Sequence, residues 1–256
     1  MVLRNYNKII RRLGLLVIAV LVLIGFQPVY DGVVTRVERL TSADILLLDP
    51  GHGGMDGGAQ SAAGVSEKDI NLAIAMYVKE FAETDGWKVV MTREKDVALG
   101  ETGSKTIRGK KTADLIARKQ MIKDIAPIAA ISIHLNSFKQ DRSVRGAQTF
   151  YPSGPGDQSV LDESKKLAEA IQDRLIAGIA DGSERVALGK RDVLMLKNPT
   201  VPIAIVECGF LSNDQEAKLL EDPEYQKKLA RYIYEGIMIY SGKEPKQRFE
   251  TIDSRG

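Results

Sequence analysis

The sequence predicts an α/β fold: a single domain with an open, mostly parallel or mixed sheet and helices on both faces. Three observations predict it. Short apolar runs, such as ILLLD at 45–49, IAAISIH at 128–134 and PIAIVE at 202–207, are continuous rather than alternating. Stretches of helical period separate them. Glycine and proline clusters fall between the two kinds of segment. Continuously apolar strands are strands buried on both faces, as in a parallel sheet sandwiched by helices. The chain has 256 residues, enough for one such domain with a sizeable core.

The elements follow in order within a catalytic domain placed at 44–241. Residues 45–49 form the first buried strand. Ile70, Ala73, Ile74, Tyr77, Val78 and Phe81 recur at helical spacing, so 68–84 is an amphipathic helix. Ser66 is its expected N-cap, and Asp69 three residues on resembles a capping box. Then come a strand at 87–92, a helix at 113–124, a strand at 128–134, a strand at 146–151 and a long helix at 158–180. Strands at 193–196 and 202–207 and a helix at 223–240 close the domain. Residues 99–112, LGETGSKTIRGKKT, break this rhythm. They read as a solvated loop, or as a basic flap over an acidic substrate. There is no internal repeat.

The ends differ from the middle. Arg4, Lys8, Arg11 and Arg12 precede an uninterrupted apolar run, LGLLVIAVLVLIGF at 13–26. A basic flank followed by such a run is the pattern of a signal or signal-anchor segment, placed at 1–26. No small-residue cleavage site follows closely, which favours an uncleaved membrane anchor and an exported domain. Residues 27–43 read as a linker, and the charged stretch 242–256 as a flexible tail. The formal net charge is only +2, which argues against nucleic acid as a partner. A single cysteine removes any disulfide framework within the chain. With two histidines, chemistry that needs imidazole must use His52, His134 or both.

The unusual polar residues fall at element ends. His52 follows the first strand in DPGHGG, His134 ends IAAISIH, Glu207 ends PIAIVE, and Glu67 opens a helix after a glycine loop. In a parallel sheet the carboxyl ends of the strands share one edge, where ligands bind. Two histidines and a carboxylate form the ligand set of a hydrolytic zinc site. Glu67 at a helix start is biased towards its ionised form, although such an acid also serves simply as a complement to the helix dipole. Glu207 is then in position as general base and acid. Spacing alone leaves open that the histidines are hydrogen-bonded surface residues. The glycines from 51 to 58 lack the spacing of a phosphate loop and read as a tight turn that aims His52.

DPGHGGMDGGA, SEKDINLAIA, SIHLNS and PIAIVECGFLSN, in this order, resemble the signature blocks of the zinc-dependent N-acetylmuramoyl-L-alanine amidases of the amidase-3 type. VLMLKNPTVPIAIVECGFLSN is most similar to the germination-specific amidases of spore-formers. The resemblance implies hydrolysis of the amide between N-acetylmuramic acid and L-alanine in peptidoglycan. It implies Zn²⁺ on His52, Glu67 and His134, with Glu207 catalytic. It also implies a role in muramic-δ-lactam formation in spore cortex, with an envelope lipoprotein or a deacetylase as partner. Arg93 and Asn136 match family positions and are carried as candidate substrate contacts, although a structural role is the favoured reading of each. Ile122-Lys123 departs from the family's Ala-Asn pair, and Cys208 from its usual apolar residue. Residues 99–112 are too short for the blocking helix of some cell-division amidases.

Two other classes compete. A Cys–His hydrolase would use Cys208, but the neighbouring Glu207 disfavours a thiolate. A catalytically silent, anchored wall-binding protein would keep the fold without turnover.

Overall fold

The structure, a computed structural model, describes residues 45–100 and 106–243. The expected anchor or signal segment at 1–26, the linker at 27–43 and the tail beyond residue 243 lie outside the described residues. Among the described residues no helix is long and apolar enough to cross a membrane.

Six strands form one sheet: β1 (Ile45–Pro50), β2 (Lys88–Met91), β3 (Ala129–Asn136), β4 (Gln148–Pro152), β5 (Leu188–Lys190) and β6 (Ile203–Phe210). Their spatial order is β2-β1-β3-β6-β4-β5. Every pairing is parallel except β4 with β6, which is antiparallel, so the sheet is mixed. Five helices accompany it: α1 (Glu67–Thr84), α2 (Ile107–Ile125), α3 (Gln158–Ile179), α4 (Asp214–Leu220) and α5 (Pro223–Ser241).

The two faces of the sheet are unequally covered. Leu46, Leu48, Ile131, Ile133, Val206 and Cys208 project to one face, into the larger core with residues of α1, α3 and α5. Each such side chain removed from water contributes about 1.5–3 kcal/mol. Leu47, Ala130, Ile203 and Ile205 project to the other, where α2 and a 3-10 turn at Leu194–Leu196 cover them. His134 and Glu207 are direct partners in register and lie on this thinly covered face. From β1 the chain passes to β2 on one side and then to β3 on the other. That reversal opens a crevice at the carboxyl ends of β1 and β3, beside both histidines.

Several elements differ from expectation. Residues 193–196 form a 3-10 turn, not a strand: Leu196 N donates to Val193 O (3.0 Å), and Met195 and Leu196 point into the smaller core. A short apolar run does not distinguish the two by period. Helix α2 begins at Ile107, so 107–112 is helical rather than loop. Its inward stripe is Asp114, Arg118 and Ile122, two of them charged, and an apolar-period search passes over it. Strand β5 and helix α4, three and seven residues long, carry no readable period. Ser66 is the N-cap of α1, but its side chain makes no capping bond; the backbone N–H of Asp69 donates to Ser66 O instead (3.2 Å).

Candidate metal centre and active site

After Pro50 the chain turns through Gly51-His52-Gly53-Gly54. His52 sits at φ 63, a left-handed conformation that a non-glycine residue adopts only when its surroundings impose it. Two buried arginines impose it. Arg93 donates to Pro50 O (2.9 Å), Gly51 O (2.9 Å), Lys68 O (2.7 Å) and Lys95 O (3.3 Å). Arg118 donates to Pro50 O (2.8 Å) and His52 O (2.5 Å). Arg118 also pairs with Asp49 (2.7 Å) and Asp114 (2.6 Å). Asp49 in turn accepts from Thr92 Oγ1 and Ser132 Oγ, each at 2.7 Å. Burial alone would raise the Asp49 carboxyl, but Arg118 and the two hydroxyls outweigh it and hold the group below the usual carboxylate range.

Two glycines open the space these ligands need. A Cβ on Gly51 would lie 2.1 Å from Cε1 of His134. Gly58, at φ 69, has Glu67 Oε2 where its Cβ would stand, 2.5 Å away. Neither position admits a side chain without displacing a member of the site.

Glu67, the first residue of α1, lies between the histidines. Its Oε1 is 3.1 Å from His52 Nε2 and 3.0 Å from His134 Nδ1. It also accepts from the backbone of Ala59 (2.8 Å) and Leu135 (3.0 Å) and from Asn71 Nδ2 (3.2 Å). Burial opposes ionisation, but the hydrogen bonds and charges of His134 and His52 prevail and hold Glu67 far below its ordinary value. Ligand atoms of His52, Glu67 and His134 lie within 4.8 Å of one another. Two imidazoles and an ionised carboxylate so gathered fit a divalent cation.

The other ring nitrogen of His52 has its own partner: Nδ1 is 2.9 Å from Asp56 Oδ2. Asp56 is held by Lys111 Nζ (2.7 Å) and by Gly58 N (3.3 Å). Burial disfavours the charged form of His52, yet Glu67 and Asp56 hold it above its usual range. This histidine–carboxylate pairing fixes ring orientation at metal centres.

Glu207 stands opposite His134 on the neighbouring strand. Its Oε2 is buried and, among the described residues, has no hydrogen-bond partner. Burial pushes its carboxyl up, and Glu67 adds to the shift against the opposing pull of His134. Beyond it, β6 has one more residue than β3 before the strands re-register at Asn136 and Phe210. Such a bulge turns the strand and ends regular pairing.

The structure thus gathers His52, Glu67 and His134, with Glu207 beside His134. Asn136 lies two residues beyond His134 on β3, its Oδ1 accepting from Ser137 N (2.8 Å). Arg93 is buried beneath the loop with its guanidinium bound to carbonyls, a structural placement. Cys208 is fully buried on the opposite sheet face from Glu207. Burial, then the carboxylates of Glu207, Glu216 and Glu67, push its thiol far up, so a Cys208 nucleophile is contradicted. Sequence reasoning missed Asp56, Lys111, Asp49 and Arg118 as parts of one support. For Asp56 a signal existed, four residues past His52 in GHGGMD; for Lys111 the only hint was the basic-flap reading.

Residues 46–238 match the amidase-3 family, described as N-acetylmuramoyl-L-alanine amidase. The germination-specific N-acetylmuramoyl-L-alanine amidase of Bacillus subtilis is 39% identical over 199 residues, 78% of this chain and 80% of that protein. An uncharacterized cell wall amidase of Bacillus anthracis is 30% identical over 222 residues; the match covers 84% of this chain and 39% of that longer protein. The CwlD amidase of Clostridioides difficile, solved in complex with the GerS lipoprotein, superposes with a TM-score of 0.72 at 40% identity. The match covers 78% of this chain and 98% of that one.

Proposed function

The chain belongs to the N-acetylmuramoyl-L-alanine amidase family, and from that premise we propose how its own residues cut the amide between N-acetylmuramic acid and L-alanine. His52, Glu67 and His134 would hold a zinc ion, which when bound would supply a Lewis acid for the carbonyl and a water of lowered pKa. Glu207 takes a proton from the attacking water at Oε2 and returns it to the leaving nitrogen of L-alanine. The observation that carries this assignment is the buried, unpartnered Oε2, on a carboxyl whose affinity for a proton burial has raised. Asp56 orients His52 through Nδ1, and Lys111 steadies Asp56. Asn136 is a candidate contact to the substrate, while Arg93 acts on it only through the loop it grips.

Peptidoglycan is the substrate, and the envelope is where the enzyme works. Its similarity to germination-specific amidases supports a role in spore-cortex maturation, in the modification that yields muramic-δ-lactam. The lipoprotein bound to the similar Clostridioides difficile amidase supports an envelope lipoprotein as partner here. In this reading residues 1–26 anchor or export the chain, 27–43 link, 44–241 catalyse and 242–256 form a charged tail.

The test is Glu207→Gln. The variant is expected to bind zinc as the parent does and to release no stem peptide from peptidoglycan, with kcat down by at least about a hundredfold. Parental turnover in this variant would remove Glu207 from the mechanism.

A further inference from the structure

The thinly covered sheet face does not end at Glu207. Gln148 of β4 pairs with Glu207, Phe150 with Ile205, and Leu188 of β5 with Phe150, all projecting to the same side. The helix that packs on β4 is α3, which lies on the opposite face. Phe150 and Lys190 are half-buried there and Leu188 is exposed.

Lys190 is the unusual residue of this surface. Its Nζ lies 4.2 Å from the centroid of the Phe150 ring. Among the described residues no carboxylate pairs with it within 4.0 Å. A half-buried ammonium held on an aromatic face and lacking a counter-ion is prepared to receive an anion. Its charge reaches Glu207.

We propose that Lys190, steadied on Phe150, is a specificity residue of the same cleft: it binds a carboxylate on the residue that follows L-alanine in the leaving peptide. The proposal rests on the amidase reading and names what that site recognises beyond the bond it cuts. Distance supports it. Phe150 pairs with Ile205, two residues before Glu207, and such diagonal neighbours stand about 7–8 Å apart. An extended peptide advances about 3.3–3.6 Å per residue, so the residue after L-alanine spans roughly 3.5 to 7 Å from the scissile nitrogen, and its side chain reaches further. With that nitrogen at Glu207, the next residue comes over Phe150 and its acid group meets Lys190.

The experiment compares two N-acetylmuramoyl peptides that differ only after L-alanine, one bearing a carboxylate and one the carboxamide. The full-length, zinc-loaded enzyme is expected to favour the carboxylate by about tenfold to a hundredfold in kcat/KM, mainly through KM, the range of one charge-assisted hydrogen bond. Lys190→Met is expected to abolish the preference and Lys190→Arg to retain it. Melting curves identify a variant that fails to fold, and the arginine variant keeps the comparison decisive if the methionine one does. A wild-type enzyme indifferent to the substitution, or a folded methionine variant that keeps the preference, overturns the proposal while leaving the amidase intact. Cleavage of neither peptide overturns the amidase reading, and this proposal with it.

Discussion

At the scale of single residues, the site is built by removing alternatives. Gly51 lies where any side chain would strike the His134 ring, and His52 takes a strained φ because Arg93 and Arg118 fix the carbonyls around it. Asp56 leaves His52 one orientation, with Nε2 towards Glu67. Removing that constraint should show in metal affinity before it shows in folding. Asp56→Asn is expected to weaken zinc binding by about 10–100-fold, measured by competition with a chromophoric chelator. Lys111→Met should weaken it less, because Asp56 keeps its bond to His52 and that from Gly58 N. Unchanged affinity in Asp56→Asn would reduce the contact to ordinary surface chemistry. Glu207 is the counterexample to thorough pairing: among the described residues its Oε2 has no partner, and in the proposed reaction that oxygen takes the proton.

At the scale of elements, α2 ties the loop to the sheet. Its Arg118 crosses to Asp49 at the end of β1, and Asp114 completes the pair. Both members of the Arg118–Asp49 pair are buried, so removing one leaves a charge stranded, at a cost of about 3–5 kcal/mol. Arg118→Met should therefore unfold at markedly lower denaturant and lose zinc affinity with it. The pair also sets an acid limit. The folded Asp49 value lies below its unfolded value of about 3.9, so its contribution is fully present above that pH. It is lost as pH falls through the lower folded value. Denaturation midpoints followed from pH 6 down to pH 2 should drop steeply below about 4 in the parent. The same drop in Asp49→Asn would assign acid sensitivity elsewhere.

At the scale of the whole molecule, the two sheet faces divide the labour. Helices α1, α3, α4 and α5 supply the larger core on one face; among the described residues the other is covered by α2 and the 3-10 turn, with His134, Glu207 and Phe150 on that same side. The price of that openness is three polar groups held close together, which a bound cation would offset. Zinc at about a hundred times its dissociation constant adds roughly 2.7 kcal/mol to stability. For a domain of this size that is a rise of about 5–10 °C in Tm. Differential scanning fluorimetry with chelator and then with added zinc should show the fall and the recovery. A melting point indifferent to both would mean the cluster holds no metal in the folded chain.

Strand runs such as ILLLD and IAAISIH are apolar throughout, and that property is local: any reader of the sequence recovers a covered α/β sheet from it. The histidines were legible for the same reason, since their scarcity and their place at strand ends are facts of sequence, and the signature blocks supplied the chemistry. What remained hidden depends on contacts between distant residues. The charged inner stripe of α2 becomes intelligible only when Asp49, 69 residues from Arg118, arrives to neutralise it. The three-residue β5 exists because β4 offers it an edge, and Lys190 acquires meaning only through the register that sets Phe150 near Glu207. Hydrophobic period is written residue by residue along the chain; the pairing of buried charges and the register of strands are settled by packing, and only the tertiary structure decided them.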